Sequence, residues 1–311
     1  MSALSSDLEQ FLEVVDRVAG PFGGGAGPVA EGWSAVESAG LPTLAVDTAE
    51  ESDALQWLGH TTRVVAASSP SLAFVLAARY AADLALGDDT SVVPTFALMS
   101  HTSNPVVATS PVPDRVVVLD IDDLDIVSAT WTEAESALEA PGRTGLAAAR
   151  PADVVVAPES RPVAADPAAV LRTWDLLVGS ALLGIAERVV RETQGYVQER
   201  HQFGVPIGSF AGLRALVAGM VLRVEPARAQ LDLALTGSAP EDTVAALAGR
   251  AAVDNCLDAV QAHGGYGYMA EYPVADLLRD AVSLQARSGG RRLHVARVAL
   301  RRLGAPAGRP S

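Results

Sequence analysis

The stretch Gln261-Ala262-His263-Gly264-Gly265-Tyr266-Gly267-Tyr268, continued by Glu271-Tyr272-Pro273 and Arg279-Asp280, decides how this chain is read. Three glycines in four positions, between two segments of helical pattern, let a backbone approach an anion closely and turn N–H groups toward it. The same composition also makes a plain helix–helix turn. A second loop lies upstream, Glu199-Arg200-His201-Gln202-Phe203-Gly204-Val205-Pro206-Ile207-Gly208. An arginine, an amide and an aromatic, pinned by glycine and proline, suit phosphate oxygens and a flat ring. The arginine can equally cap helix carbonyls.

Around these loops the pattern is helical. Asp166-Pro167 reads as an N-cap followed by an N1 proline. Leu171, Trp174, Val178, Ala181, Ile185 and Val189 then recur at spacings of three and four, one long apolar stripe. Further helices are predicted over roughly 209–236, 240–262 and 273–302, so residues 166–311 read as a C-terminal four-helix bundle. A second stripe, Phe210, Leu213, Leu216, Val217 and Met220, is also wide. One bundle buries one stripe per helix, so the surplus predicts a sister bundle in a partner.

Residues 92–165 change character, with short Val/Thr/Ser runs at 93–98, 106–108, 115–121, 125–129 and 153–156 separated by Pro, Asn and Asp. They predict a small antiparallel β domain. Asp120, Asp122, Asp123 and Asp125 lack the glycine and the closing glutamate of a calcium loop, so they read as a solvated strand end and no metal site is expected. Residues 1–91 read as an N-terminal helical domain. Leu8, Phe11, Leu12, Val15 and Val18 follow Ser6 or Asp7 as N-cap, and a Gly/Pro break spans 20–25. A short helix through Trp33 and Val36 stops at Gly40. The helix opened by Ser69-Pro70-Ser71 is apolar nearly all round to Leu86, hence buried.

Composition excludes several classes. The chain has 311 residues and a net charge of −14, which argues against nucleic acid as a partner. Residues 1–150 hold 6 Arg and 21 Asp+Glu, whereas residues 151–311 hold 17 Arg and 16 Asp+Glu, so the acidity sits in the first half. All 23 basic residues are Arg, which removes Schiff-base and P-loop lysine chemistry. The single Cys256 excludes an internal disulfide and a CxxC pair. The apolar stretches read as shorter than the roughly 18–20 residues of a bilayer span. The first twenty residues carry acids and no basic run, so no signal peptide is read. A soluble cytoplasmic protein, with no membrane partner, is expected.

Taken together, the two loops resemble the acyl-CoA dehydrogenase family. Its pattern Arg-x-Gln-Phe-Gly-x-x-Ile is matched at Arg200, Gln202, Phe203, Gly204 and Ile207. Its pattern Gln-x-x-Gly-Gly-x-Gly-Tyr-x-x-Glu-Tyr-Pro, then Arg-Asp, is matched at Gln261, Gly264, Gly265, Gly267, Tyr268, Glu271, Tyr272, Pro273, Arg279 and Asp280. Gly32-Trp33-Ser34 to Ala39-Gly40-Leu41 and the Ser69-Pro70-Ser71 helix start look similar too. The resemblance implies an acyl-CoA dehydrogenase-like fold and FAD lying across a subunit interface. Arg200, Gln202, Phe203, Gln261, Gly264 and Gly265 would then contact the pyrophosphate and adenosine end of a neighbour's flavin.

The departures bear on catalysis. The family's base is a glutamate that removes the α-proton of the acyl thioester. One of its places reads Ser288-Gly289-Gly290 here, and the other reads Trp174. A serine hydroxyl needs a base of its own. Asp175 is adjacent to Trp174 but turned about 100° round the helix. The β domain is reduced, and no Thr-Glu-Pro-x-x-Gly-Ser-Asp segment is found; Met99-Ser100-His101-Thr102-Ser103 lies near its place. His101 and His263 read as surface or loop histidines. The resemblance therefore implies a non-catalytic subunit of a heteromeric α2β2 enzyme of the kind found in steroid side-chain degradation. The partner would supply the glutamate and most of the acyl-CoA site. A degenerate homo-oligomer binding acyl-CoA without redox chemistry, and a flavoenzyme using Asp175 or another acid, remain as alternatives.

Overall fold

The structure is a computed structural model. It describes residues 4–22, 29–87, 92–100, 105–122, 124–134, 138–139, 145–154 and 160–304. Gly23 to Gly25, His101, Asp123 and the end of the run at 153–156 lie outside the described residues.

Helices α1 (Ser6–Ala19), α2 (Val29–Ser38), α3 (Leu44–Asp47), α4 (Ala54–Ser68) and α5 (Pro70–Leu86) come first. The cap of α1 is Ser5, one residue before the expected Ser6 or Asp7; its hydroxyl accepts the Leu8 N–H at 3.2 Å. Ser69 caps α5 in the same way, accepting the Leu72 N–H at 3.3 Å. As its composition demands, α5 is buried along almost its whole length. Gly40, at φ 73°, ends the Trp33 helix turn.

Strands β1 (Pro94–Ser100), β2 (Val106–Val107), β3 (Arg115–Asp122), β4 (Asp125–Glu133), β5 (Leu138–Glu139), β6 (Ala152–Val154) and β7 (Arg161–Pro162) form two small sheets, ordered β1-β3-β4-β7 and β2-β6-β5. The unit is mixed rather than antiparallel, because β1 pairs parallel with β3, Phe96 beside Val117. A proline-rich connection returns β3 beside β1 in the same direction, a long-range pairing that local alternation does not encode. One face of the larger sheet joins the main core through Phe96, Val117 and Leu119. The other packs Ala97, Val116 and Val118 on Val107 and Val154 of the smaller sheet.

The C-terminal helices are α6 (Pro167–Glu199), α7 (Ala211–Leu235), α8 (Glu241–His263), α9 (Val274–Arg287) and α10 (Gly290–Leu303). A short hairpin, β8 (His201–Gln202) and β9 (Val205–Pro206), separates α6 from α7. Asp166 caps α6, accepting the Ala168 N–H at 3.1 Å. The expected single helix over 273–302 is two helices, so five helices replace the expected four. Gly289 (φ 88°) and Gly290 (φ 80°) adopt the left-handed region and break it. One correction concerns hydropathy: α6 is long and apolar enough to cross a membrane, contrary to the expected short stretches. The stripe from Leu171 to Val189 is fully or nearly fully buried, which makes α6 the central strut of the bundle. A Cβ at Gly184 would overlap the Arg63 carbonyl of α4, so only glycine lets these helices approach so closely.

Candidate functional site

The two ends of α6 carry the residues that the sequence singled out, and they differ. At its C-terminus Arg200 leaves the helix in extended conformation, its N–H held by the Tyr196 carbonyl at 2.9 Å. The chain then turns through Phe203 (φ 53°) and Gly204 (φ 82°), a two-residue hairpin with both central residues left-handed, the type I′ pattern. A phenylalanine at that position is strained by roughly 1–2 kcal/mol. Its ring is 92% exposed and meets only the edge of Phe210, centroids 6.3 Å apart.

Facing this hairpin, α8 ends at His263, and Gly264 turns the chain at φ 59°. Between them lies a cavity of about 330 Å³, lined by Arg200, Gln202, Gln261, Gly264 and Gly265 together with Tyr196, His263 and Tyr266. Five of the six expected contact residues therefore converge. The sixth, Phe203, stands out into solvent from the same hairpin. The Arg200 guanidinium lies 5.1 Å from the Tyr266 ring centroid and has no carboxylate partner among the described residues. A Cβ on Gly264 or Gly265 would meet nothing within 4 Å, so the loop presents bare backbone to open space. An uncompensated guanidinium, two side-chain amides and exposed backbone beside aromatic rings suit an anionic diphosphate joined to a flat base. The residues present therefore fit a dinucleotide's phosphate and nucleoside end.

His263 is the main correction at this end. Read as a surface or loop histidine, it closes α8, is 4% exposed and stacks on Tyr196 at 3.9 Å and 20°. Burial pushes its pKa down. A second cleft of about 490 Å³, lined by Arg191, Glu192, Glu199 and Tyr272, shares Tyr196, Arg200 and His263 with the first. Nothing in the motif marked His263 as a core residue.

The N-terminal end of α6 is closed. Trp174 has no exposed surface, its ring centroid is 4.8 Å from that of Phe96 on β1, and its Nε1–H donates to the Arg287 carbonyl at 3.1 Å. Ser288, at the other expected base place, is equally buried, its hydroxyl 2.8 Å from His294 Nε2 and 3.1 Å from the Gln285 carbonyl. Asp175 accepts from Arg297 at 2.5 Å. Burial nonetheless pushes its carboxyl up to about 7, against the pull of that guanidinium. Burial and the Arg297 charge push His294 down to about 3.

Serine, histidine and aspartate in a row suggest a nucleophile relay, but the geometry refuses it. His294 Nδ1 is 3.9 Å from Asp175 Oδ1, beyond hydrogen-bond reach, and no substrate carbonyl reaches a sealed Ser288. Asp175 as a stand-alone base fares no better, being buried and held by Arg297. Of the other motif residues, Asp280 accepts the Leu146 N–H at 2.7 Å and Arg279 pairs with Asp276, so both are structural. Among the described residues no group of His, Cys, Asp and Glu could hold a metal ion.

The whole chain superposes on acyl-CoA dehydrogenase structures. Butyryl-CoA dehydrogenase from Megasphaera elsdenii matches with a TM-score of 0.74 and 17% identity, over 95% of this chain and 98% of that one. A glutaryl-coenzyme A dehydrogenase–glutaryl-CoA complex matches with a TM-score of 0.77 and 18% identity, over 98% and 97%. At such identities the likeness defines the fold. Residues 175–303 match the family described as acyl-CoA dehydrogenase, C-terminal domain. An acyl-CoA dehydrogenase of Bacillus subtilis (strain 168) is 40% identical over 119 residues, which are 36% of this chain and 31% of that protein. An acryloyl-CoA reductase (NADH) of Anaerotignum propionicum is 34% identical over 124 residues, 38% and 32% of the two chains. The matched stretch thus spans about a third of these relatives' own length. Residues 175–303 thus correspond to the C-terminal domain of acyl-CoA dehydrogenases, and the chain as a whole shares their fold.

Proposed function

We propose that this chain is the non-catalytic subunit of an FAD-dependent acyl-CoA dehydrogenase, pairing with a catalytic sister subunit as α2β2. The observation that carries this is the contrast between a sealed base region and an open, uncompensated anion cleft on one helix. Trp174 and Arg200 are 26 positions apart on α6, about 39 Å along its axis. One extended dinucleotide does not reach from one end to the other, so the cleft serves a reaction centre belonging to another subunit.

Bound flavin would accept the hydride from the acyl β-carbon. This chain's own part is binding. Arg200 neutralises phosphate charge, Gln202 and Gln261 donate amide hydrogen bonds, and Gly264 and Gly265 let the backbone approach the diphosphate. Phe203 covers the base or the subunit contact. The catalytic glutamate and most of the acyl-CoA site belong to the partner, with a steroid side-chain CoA thioester among the substrates that the resemblance implies. The cytoplasm is the expected compartment.

The test is expression of the chain alone and with the acyl-CoA dehydrogenase encoded beside it. Together they should give a yellow complex with four chains in equal amounts by light scattering. Alone, the chain should reduce no artificial electron acceptor with any acyl-CoA, because a positioned base is worth roughly 10²–10⁴-fold. Turnover by the isolated chain would sink the proposal. A colourless, soluble homo-oligomer indifferent to the second subunit would favour a ligand-binding protein without redox activity.

A further inference from the structure

The charge that the sequence divides between its two halves stands, in the fold, on two outer helices. Residues 1–60 hold ten Asp+Glu and one Arg, whereas residues 281–311 hold seven Arg and no acid. On α1, Glu9, Glu13 and Asp16 recur at spacings of four and three, a single stripe, and are exposed together with Asp7 and Val14. On α10 only His294 is buried. Arg297 and Arg301 bind Asp175 and Asp242 of the bundle. Arg291, Arg292 and Arg302 are exposed on its outer side, which they share with Val295 and a Leu303 that is 85% exposed. None of these three arginines and four acids has an ion-pair partner among the described residues. They do not serve one another within the chain either. Helix α1 packs on α4, α4 on α6, α6 on α8 and α8 on α10, so three helices stand between the acidic and the basic one.

We infer that α10 is a docking surface for α1 of a second copy of this chain. Both helices are 14 residues long, about 21 Å. Each sets charges of one sign beside exposed apolar side chains, the composition of a contact with a polar rim. Laid together they neutralise both rows of charge and cover Val14, Val295 and Leu303. The net charge of −14 on each copy opposes the approach at long range. At about 0.1 M salt the screening length is roughly 10 Å, so that repulsion is largely screened while pairs in contact persist. The inference depends on neither the anion cleft nor the missing base.

The experiment follows self-association of the full chain by sedimentation velocity. The parent should associate at about 0.1 M salt and about tenfold more weakly at about 1 M, since each exposed pair is worth roughly a factor of 1.5–5. Reversing α10 (Arg291→Glu, Arg292→Glu and Arg302→Glu) should abolish the association, and so should reversing α1 (Glu9→Arg, Glu13→Arg and Asp16→Arg). Mixed in equal amounts the two variants should associate again, because each α10 then meets an α1 of opposite sign. A mixture that stays dissociated overturns the inference, as does association indifferent to salt and to both reversals. A parent that does not associate at about 100 μM overturns it too. Vesicles of phosphatidylserine that bind the parent but not the α10 variant, with no self-association, would assign the helix to a lipid surface instead. If a reversed chain does not fold, glutamine at the same positions of either helix should weaken association about tenfold, and an unchanged association constant overturns the inference.

Discussion

At the N-terminal end of α6 the groups around the expected base places are turned inward: Trp174 to the Arg287 carbonyl, Asp175 to Arg297, Ser288 to His294. At the C-terminal end Arg200 has no carboxylate partner among the described residues, two glycines show bare backbone and a phenylalanine stands in solvent. Both ends belong to one helix, and both correspond to places where the family resemblance puts function. On the proposed reading, a lost site and a kept site leave opposite physical marks. At the end without the expected base the space is packed and closed, although Asp175 Oδ1, His294 Nδ1 and Arg297 Nε and Nη2 are buried there without a hydrogen-bond partner among the described residues. Where a ligand or partner is awaited, strain, exposure and unneutralised charge persist.

The largest effect that could break this comparison is on stability at the closed end. Trp174→Ala should cost about 3–5 kcal/mol in denaturant unfolding, the range for a large buried aromatic, because it empties the space between β1 and α9. A loss below about 1 kcal/mol would mean that the end is loosely filled. Arg200→Ala should act the other way round. Stability should stay nearly unchanged, while flavin retention by the assembled complex falls by the worth of a charge-assisted bond, about 1.5–3 kcal/mol, or roughly ten- to a hundredfold. Loss of fold with flavin occupancy intact would make Arg200 a helix cap only.

The pH dependence sharpens the same contrast. Asp175 titrates near 7 in the folded chain against 3.8 for the free side chain. The folded state holds that proton more tightly, so the contribution of this group declines as pH rises from about 4 to 7. His294 titrates near 3 against 6.5, so its contribution grows as pH rises from about 3 to 6.5. The two oppose each other in the parent chain. Relative to the parent, Asp175→Asn should gain stability with rising pH and His294→Gln should lose it, with slopes up to about 1.4 kcal/mol per pH unit. Two flat difference curves would show a hydrated, not a sealed, end.

How much of this was legible in the sequence follows from range. Local grammar held: Asp166 caps α6 as read, Ser69 opens α5 as read, and α5 is buried as read; the α6 stripe, read as adding surplus for a sister bundle, is already buried within the chain. The loops at 200–208 and 261–268 meet because each closes a helix of one bundle, which the helical pattern implied. The parallel β1–β3 pairing was not legible, since register between distant strands has no local signature. The closed end was half legible. Trp174 and Ser288 marked the missing base, but Asp175, Ser288, His294 and Arg297 come together across more than a hundred positions. An aspartate inside an apolar stripe was the available signal, because a buried carboxylate requires a partner. Gly289 and Gly290 were read for what they replace rather than as the helix break that they are.

The smallest expected effect concerns Phe203, where stability and function should part. Its φ of 53° beside Gly204 at 82° places it at the first central position of a type I′ turn, where Asn-Gly is the favoured pair. Phe203→Asn therefore removes strain from the hairpin. It also removes a ring that is 92% exposed and packs only on the edge of Phe210, so little folded-state contact is lost. The substituted chain should be more stable by about 0.5–1 kcal/mol, read as a rise of a few degrees in its melting temperature. If the ring is held in this strained, wet position for a partner or its cofactor, the same change should weaken assembly or flavin retention, since an exposed aromatic becomes an anchor only when it is covered. A more stable chain that also assembles as well as the parent would leave the strain at Phe203 without a purpose and would remove the exposed end from the comparison.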